Sequence, residues 1–390
     1  MTQKLTNVPD RLPTLTGMRM IAAIIVFLSH ATLMGFFADE RLEDWFFLIF
    51  SRTGSAALNF FFILSGFVLA WSVQDGDTKR AFWRRRAAKI MPNNLVVCAV
   101  IVILLILTGQ GVQLWPTLAN FALVQSWFPD MTILNGINTP SWSLSAEVLF
   151  YFAFPWLFAA VRRIPGRWLW PTAGGLVAAM LTIPFLAMAF LPTEPVYNYA
   201  NASFPQFWLV YFLPLSRMLD FVVGIVLARL VREDRIRVSL RTATLLTLVF
   251  YGISEVVPLL FSVVVAMVIP AALLVAAGAQ ADITGQRSPL RGRTAVWFGD
   301  VSFAFYLIHI IVLWFASQLA GEGWGVMGAT VALVVAYLVT LGFAALLYTG
   351  VERPLTRRFS RSRRITAGAP QALPPQPAPP DLVRQPPIAS

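Results

Sequence analysis

Cysteine is nearly absent. The 390 residues hold one, Cys98, set in an apolar run, which excludes a disulfide framework and a cysteine-built metal cluster and leaves Cys98 as a packing residue. Histidine is almost as scarce, with His30 and His309 alone, and no metal site is expected. Acidic residues number 19 against 30 basic ones, and only three of the basic residues are lysine. Charge of any sign is sparse at 13% of the chain, so the balance of +11 has to be read from where the cations fall.

What is abundant is apolar sequence. A mean hydropathy of +0.69 with 57% hydrophobic residues lies outside the soluble globular range and in the polytopic membrane class. Ten segments reach the roughly 20 residues that cross a bilayer: 17–37, 55–74, 93–109, 144–161, 168–190, 206–230, 242–258, 259–278, 295–317 and 324–349. The fold class expected is an all-α polytopic membrane helix bundle. Basic residues gather in alternate loops (79–89, 162–167, 229–241, 287–293 and 353–384), while the intervening loops hold only Arg41 and Arg52. That alternation places both termini in the cytoplasm and predicts a multi-pass protein of the cell membrane. The positive charge is then topological, and nucleic acid is not an expected partner. Lys4 and Arg11 precede the first span, but no small-residue cleavage site follows it, so it reads as retained. Residues 1–13 form a short lead-in, 14–354 the membrane domain, and 355–390 a basic and then Pro-rich tail that cannot bury enough apolar surface to fold.

Ionisable groups inside spans are costly, which makes each a functional candidate in need of a partner. Arg19 and His30 share the first span. Eleven residues apart, they are separated by about 16 Å of rise and about 20° of rotation, so both leave one helix face. His309, in the ninth span, sits at a depth similar to that of His30. Arg217 and Asp220 are spaced to pair within a helix. Arg85, Arg86 and Lys89 belong to a basic run before Pro92, which suits the start of the third span; the run can meet a nucleotide diphosphate, or simply anchor a helix against anionic lipid. Ser143 can cap the fourth span, with Glu147 one turn on, a carboxylate that the helix dipole alone would favour. Asn59, Ser65 and Gly66 interrupt the second span, where small residues also serve close helix packing. Residues 110–143 are expected to carry a re-entrant or interfacial helix. Residues 191–205, polar and aromatic, are candidates for shaping an acceptor site on the outside.

These landmarks occur in one order: L-T-G-x-R at 15–19 with R-x10-H closing at His30, F-F-x-L-S-G-F at 61–67, the basic run before Pro92, W-S-L-x-x-E at 142–147, G-x-x-S-F-x-x-Y-L-x-H at 299–309, and E-R-P at 352–354. In that order and over nearly the whole chain the sequence resembles the acyltransferase-3 family of integral-membrane O-acyltransferases. It departs from the family at Lys89, usually arginine, and at Phe303, usually tyrosine. Lysine keeps the charge but loses bidentate phosphate geometry. The resemblance implies transfer of an acyl group, commonly acetyl, from acyl-CoA as co-substrate, with no bound cofactor. The acceptor it implies is a sugar hydroxyl in a surface polysaccharide, a glycolipid or a glycosylated metabolite such as a macrolide. It assigns His30 as the catalytic histidine, Arg19 as its motif partner and Glu147 as the motif carboxylate. Arg85, Arg86 and Lys89 then serve the donor, and Ser143, Asn59, His309, Tyr306, Arg217 and Asp220 are candidates to line the site. The chemistry agrees, since an imidazole is suited to take a hydroxyl proton near neutral pH. A competing reading from the same residues is a proton-coupled transporter using His30, Glu147, Asp220 and His309.

Overall fold

The computed structural model describes residues 9, 11–73, 76–197, 202–321 and 323–360. They form a helix bundle whose strand content, among the described residues, is a two-residue antiparallel ribbon pairing Val196–Tyr197 with Ala202–Ser203. The principal helices are α1 (Pro13–Ala31), α2 (Glu40–Phe50), α3 (Thr53–Trp71), α4 (Lys79–Leu107), α5 (Leu114–Ala122), α6 (Trp142–Arg163) and α7 (Leu169–Phe190). They continue with α8 (Pro214–Arg232), α9 (Leu240–Val256), α10 (Val268–Ile283), α11 (Arg293–Ala320), α12 (Val326–Leu347) and α13 (Arg353–Ser360). The lead-in up to Val8 and the tail beyond Ser360 lie outside the described residues.

Among the described residues, nine helices are long and apolar enough to cross a membrane, and this is a multi-pass membrane protein. The tenth expected span is α9, which at 17 residues is shorter than those nine. Its start nonetheless lies near the start of α1 and its finish near the start of α3. At its start, Val238 donates to the Gln280 side chain at 2.7 Å, two residues before Asp282, which accepts from the Thr14 amide at 2.9 Å and from its hydroxyl at 2.7 Å. At its finish, Arg52 donates to the carbonyl of Val257 at 3.0 Å and pairs with Glu255 at 3.3 Å, just before α3 begins. Seventeen residues rise about 26 Å, which suffices for a thin or locally compressed core.

Two helix pairs set the frame. Helices α3 and α8 cross so closely that a Cβ added at Gly66 would collide with the carbonyl of Phe221, and one at Gly224 with the carbonyl of Ile63. Packing is thus the role of Gly66, and contact of this kind drives helix association where lipid removes the hydrophobic force. Helix α1 lies along α11, where Gly299 meets the Thr16 carbonyl in the same way.

Several expectations about element ends are corrected. Helix α1 stops at Ala31, so His30 occupies its last turn instead of the middle of a span running to residue 37. Helix α4 runs through Pro92, so the basic run is itself helical. Proline removes one main-chain hydrogen bond, and packing on both sides of it carries the helix past the gap. Ser143 is the second residue of α6 and caps nothing; its hydroxyl turns to the Pro140 carbonyl at 3.1 Å and to the Tyr306 hydroxyl at 2.8 Å. The stretch 110–143 contains a short helix of nine residues, α5. It is folded down by Asn120, whose carbonyl accepts from Asn94 at 3.1 Å and whose side chain accepts from Ser141 at 3.2 Å. Residues 40–50 form the amphipathic α2, capped by Asp39 and with none of its residues buried, as suits a helix lying at an interface.

Candidate active site

Helix α1 carries its two ionisable side chains into two different cavities. Arg19 lines one of about 590 Å³, together with Lys89, Arg293, Arg353 and Arg357; Asp300 and Glu352 are its acids. Five cations face two carboxylates there, and the balance suits a polyanion. His30 lines the other, of about 510 Å³, at the opposite end of the bundle. Its walls are aromatic, with Trp142, Tyr197, Tyr211, Phe212, Tyr306 and Trp314, and its polar groups include Ser29, Gln110, Asn135 and Thr139.

The local backbone explains part of this arrangement. Among the described residues, three turns adopt the wide π geometry that is uncommon outside functional regions. Tyr348–Glu352 supplies Tyr348, Thr349 and Glu352 to the basic cavity, while Trp208–Phe212 and Ser262–Ala266 supply Tyr211, Phe212 and Val263 to the aromatic one. Residues 131–139 roof the aromatic cavity, and Tyr197 enters it from the 191–205 stretch.

Between the cavities, which have no lining residue in common, stands a column of buried and half-buried polar groups. Glu147 accepts from the Tyr151 hydroxyl at 3.0 Å and lies within electrostatic reach of Arg19, Arg86 and Lys89. It therefore faces the cations, instead of serving as a cap at the far end of α6. Asn93 donates to Glu352 at 2.8 Å, and Glu352 in turn lies within reach of Lys89 and Arg19. Beyond Glu147 come Tyr306 and Ser143, and then the histidines. His30 Nδ1 is 2.9 Å from His309 Nε2, and His309 Nδ1 is 2.6 Å from the Tyr306 carbonyl. The two histidines expected at one depth are in direct contact, although only His30 lines the cavity.

Other candidates are placed elsewhere. Arg217 and Asp220 pair at 2.9 Å with both side chains fully buried, Arg217 also donates to the Asn59 side chain, and its guanidinium stacks over Phe62 at 5.5 Å. All three lie between α3 and α8 and line neither cavity; desolvation makes each the other's obligatory partner. Arg85 bonds Asp77 near the helix start and is also outside the basic cavity. Arg86 is half-buried, with its guanidinium over the Phe82 and Tyr151 rings at 5.6 and 6.0 Å.

A family model described as an acyltransferase domain matches residues 12–349. The chain belongs to the acyltransferase-3 family. Acyltransferase MdmB of Streptomyces mycarofaciens is 40% identical over 374 residues, covering 92% of this chain and 95% of that protein. Nodulation protein 10 of Rhizobium leguminosarum bv. viciae is 28% identical over 222 residues, 52% of this chain and 58% of the relative. Peptidoglycan O-acetyltransferase OatA of Listeria monocytogenes is 24% identical over 160 residues, 37% of this chain and 23% of the relative. No solved structure matches. The protein is thus a membrane O-acyltransferase, needing an acyl donor and a hydroxyl acceptor, and the transporter reading gives way to it.

The sequence leaves several neighbours of the site without a role, among them Arg293, Asn93, Tyr151 and Glu352. Arg293 falls among the loop arginines, Asn93 and Tyr151 carry no reading at all, and Glu352 belongs to the E-R-P motif with no role given to it. Only Glu352 carries a usable signal, since the E-R-P motif matches the family. The others are known by the side chains they meet.

Proposed function

We propose that this acyltransferase moves an acetyl or other short acyl group from acyl-CoA to a sugar hydroxyl, with His30 as general base. Supporting this is the chemistry at the two ends of α1. A coenzyme A thioester has a phosphate-bearing head and a reactive carbonyl at the end of a long arm. Arg19, Lys89, Arg293, Arg353 and Arg357 suit the head. The arm would follow the polar column of Arg86, Glu147 and Tyr151, which must part to admit it. The about 16 Å between Arg19 and His30 then sets the carbonyl near the imidazole.

The aromatic cavity suits a sugar with an apolar ring face, borne by a glycan, a glycolipid or a glycosylated metabolite such as a macrolide. Aromatic walls stack on such faces, while a few hydroxyls and amides orient the ring. A hydroxyl is a weak nucleophile at neutral pH, and transfer of its proton to His30 as it attacks is worth roughly 10²–10⁴ in rate. The cation-rich end is read as cytoplasmic, so the proposal has both termini on that side and takes the membrane to be the cell membrane.

The test uses purified protein in detergent with acetyl-CoA labelled in the acetyl group. Label should pass to a glycosylated acceptor, with mass spectrometry locating it on a sugar oxygen. Glycans and glycosylated metabolites compared with and without the gene supply the candidates. Failure to hydrolyse or transfer from any short acyl-CoA, alongside transfer from another acyl donor, would remove acyl-CoA from the scheme.

A further inference from the structure

The two imidazoles form an ordered chain whose proton positions follow from its fixed end. The Tyr306 carbonyl has no hydrogen to give, so the 2.6 Å contact requires a proton on His309 Nδ1. In a neutral ring the other nitrogen then holds a lone pair, and His309 Nε2 can only accept. It stands 2.9 Å from His30 Nδ1, so the hydrogen of that bond belongs to His30 Nδ1. One nitrogen remains. His30 Nε2 carries the lone pair, and His30 is the ring of the two that lines the aromatic cavity.

Neutral rings suit the surroundings. His309 is 1% exposed, stacks parallel to Phe305 at 6.3 Å, and among the described residues neither imidazole is hydrogen-bonded to a carboxylate. Free histidine has two neutral tautomers, and only the one with a bare Nε2 here offers a base to the cavity.

We infer that His309 is a positioning residue: through the Tyr306 carbonyl it fixes the tautomer of His30 and points the His30 Nε2 lone pair at the acceptor, and it shares the proton that His30 takes. The inference rests on the reading of His30 as general base. In the step, the acceptor O–H bond breaks and its proton joins His30 Nε2 as the oxygen bonds the thioester carbonyl carbon. The Nδ1 proton of His30 moves towards His309 Nε2, spreading the imidazolium charge over both rings. When the tetrahedral intermediate collapses the C–S bond breaks, the chain reverses, and His30 Nε2 returns the proton to the departing thiolate. His309 thus has the part that a buried carboxylate plays in a serine-protease triad, without bringing a negative charge into the membrane.

With two histidines in the chain, ¹⁵N-histidine labelling of the full-length protein in detergent micelles reads both rings directly. Wild type at neutral pH should show both in the Nδ1–H form. His309→Leu should release His30 into a mixture with the Nε2–H tautomer, lower kcat about 100-fold through the tautomer loss and the unshared imidazolium charge together, short of the roughly 10⁴ of a wholly wrong tautomer, and leave KM for either substrate within about threefold. His309→Gln, whose amide oxygen can accept from His30 Nδ1, should recover to within about tenfold of wild type. The inference is overturned if His309→Leu, folded by its melting temperature, keeps kcat within about threefold of wild type while His30→Ala is inactive. If both variants stay active, the general-base reading fails with it. Should His309→Leu not fold, a wild-type spectrum with His30 in the Nε2–H form overturns the inference by itself, and the Nδ1–H form supports it.

Discussion

The cavities at the two ends of α1 are close in size, about 590 and 510 Å³, and opposite in chemistry. One is walled by arginine and lysine with two carboxylates, the other by tryptophan, tyrosine and phenylalanine with a few neutral polar groups. A bilayer makes such a contrast informative. Cations inside a span are costly unless they face water or an anionic ligand, whereas apolar aromatics are stable nearly anywhere, so the basic cavity is the one whose lining calls for water or an anion. The aromatic cavity is explained by His30, the lining side chain of a type suited to exchange protons near neutral pH.

The comparison can be broken most sharply at His30. His30→Ala should reduce acyl transfer by about 10²–10⁴-fold with little change in the KM for the acyl donor, measured at saturating acceptor on protein of unchanged melting temperature. If instead only the donor KM changes, the two ends are not divided as described.

The next effect concerns the pair that serves neither cavity. Arg217→Ala strands Asp220 in the core and should destabilise by about 3–5 kcal/mol, read as a lower melting temperature in detergent. The double change Arg217→Met with Asp220→Leu should recover most of that loss. Recovery of turnover along with stability would show the pair to be structural, whereas a stable but inactive double variant would return it to the site.

At the basic end, Arg293→Ala and Arg353→Ala should each raise the donor KM by about tenfold, the loss of one charge-assisted hydrogen bond, and should weaken the salt dependence of that KM. Arg85→Ala, whose partner is Asp77, should shift it less than about threefold. The reverse order would restore the sequence-based assignment of Arg85 to the donor. Smallest is the far end, where Trp314→Ala should raise the acceptor KM about three- to tenfold and leave the donor KM unchanged.

Much of the site is legible in the amino-acid sequence. Arg19 and His30 on one face of one helix, the Glu147 motif and the similar depth of His309 all follow from helical spacing and motif order. What spacing cannot give is which side chains meet across helices. The Arg217–Asp220 pair, made within one helix, follows from its spacing, whereas the contact of His309 with His30 joins two helices and has no such mark. Lys89 and Arg85 lie four residues apart in a single basic run, and only Lys89 lines the cavity because Asp77 holds Arg85 near the helix start.

The sequence by itself determined a membrane bundle of helices, its alternation of basic loops, its family and the chemical types available for catalysis, because hydropathy, charge placement and motif order are local properties of the chain. Only the tertiary structure decided that α1 ends just past His30, that two histidines 279 positions apart share a hydrogen bond, and that the cations and the aromatics line separate cavities. Those depend on how closely helices approach and on which buried polar group satisfies which, and a partner across a helix interface leaves no periodic mark in either helix.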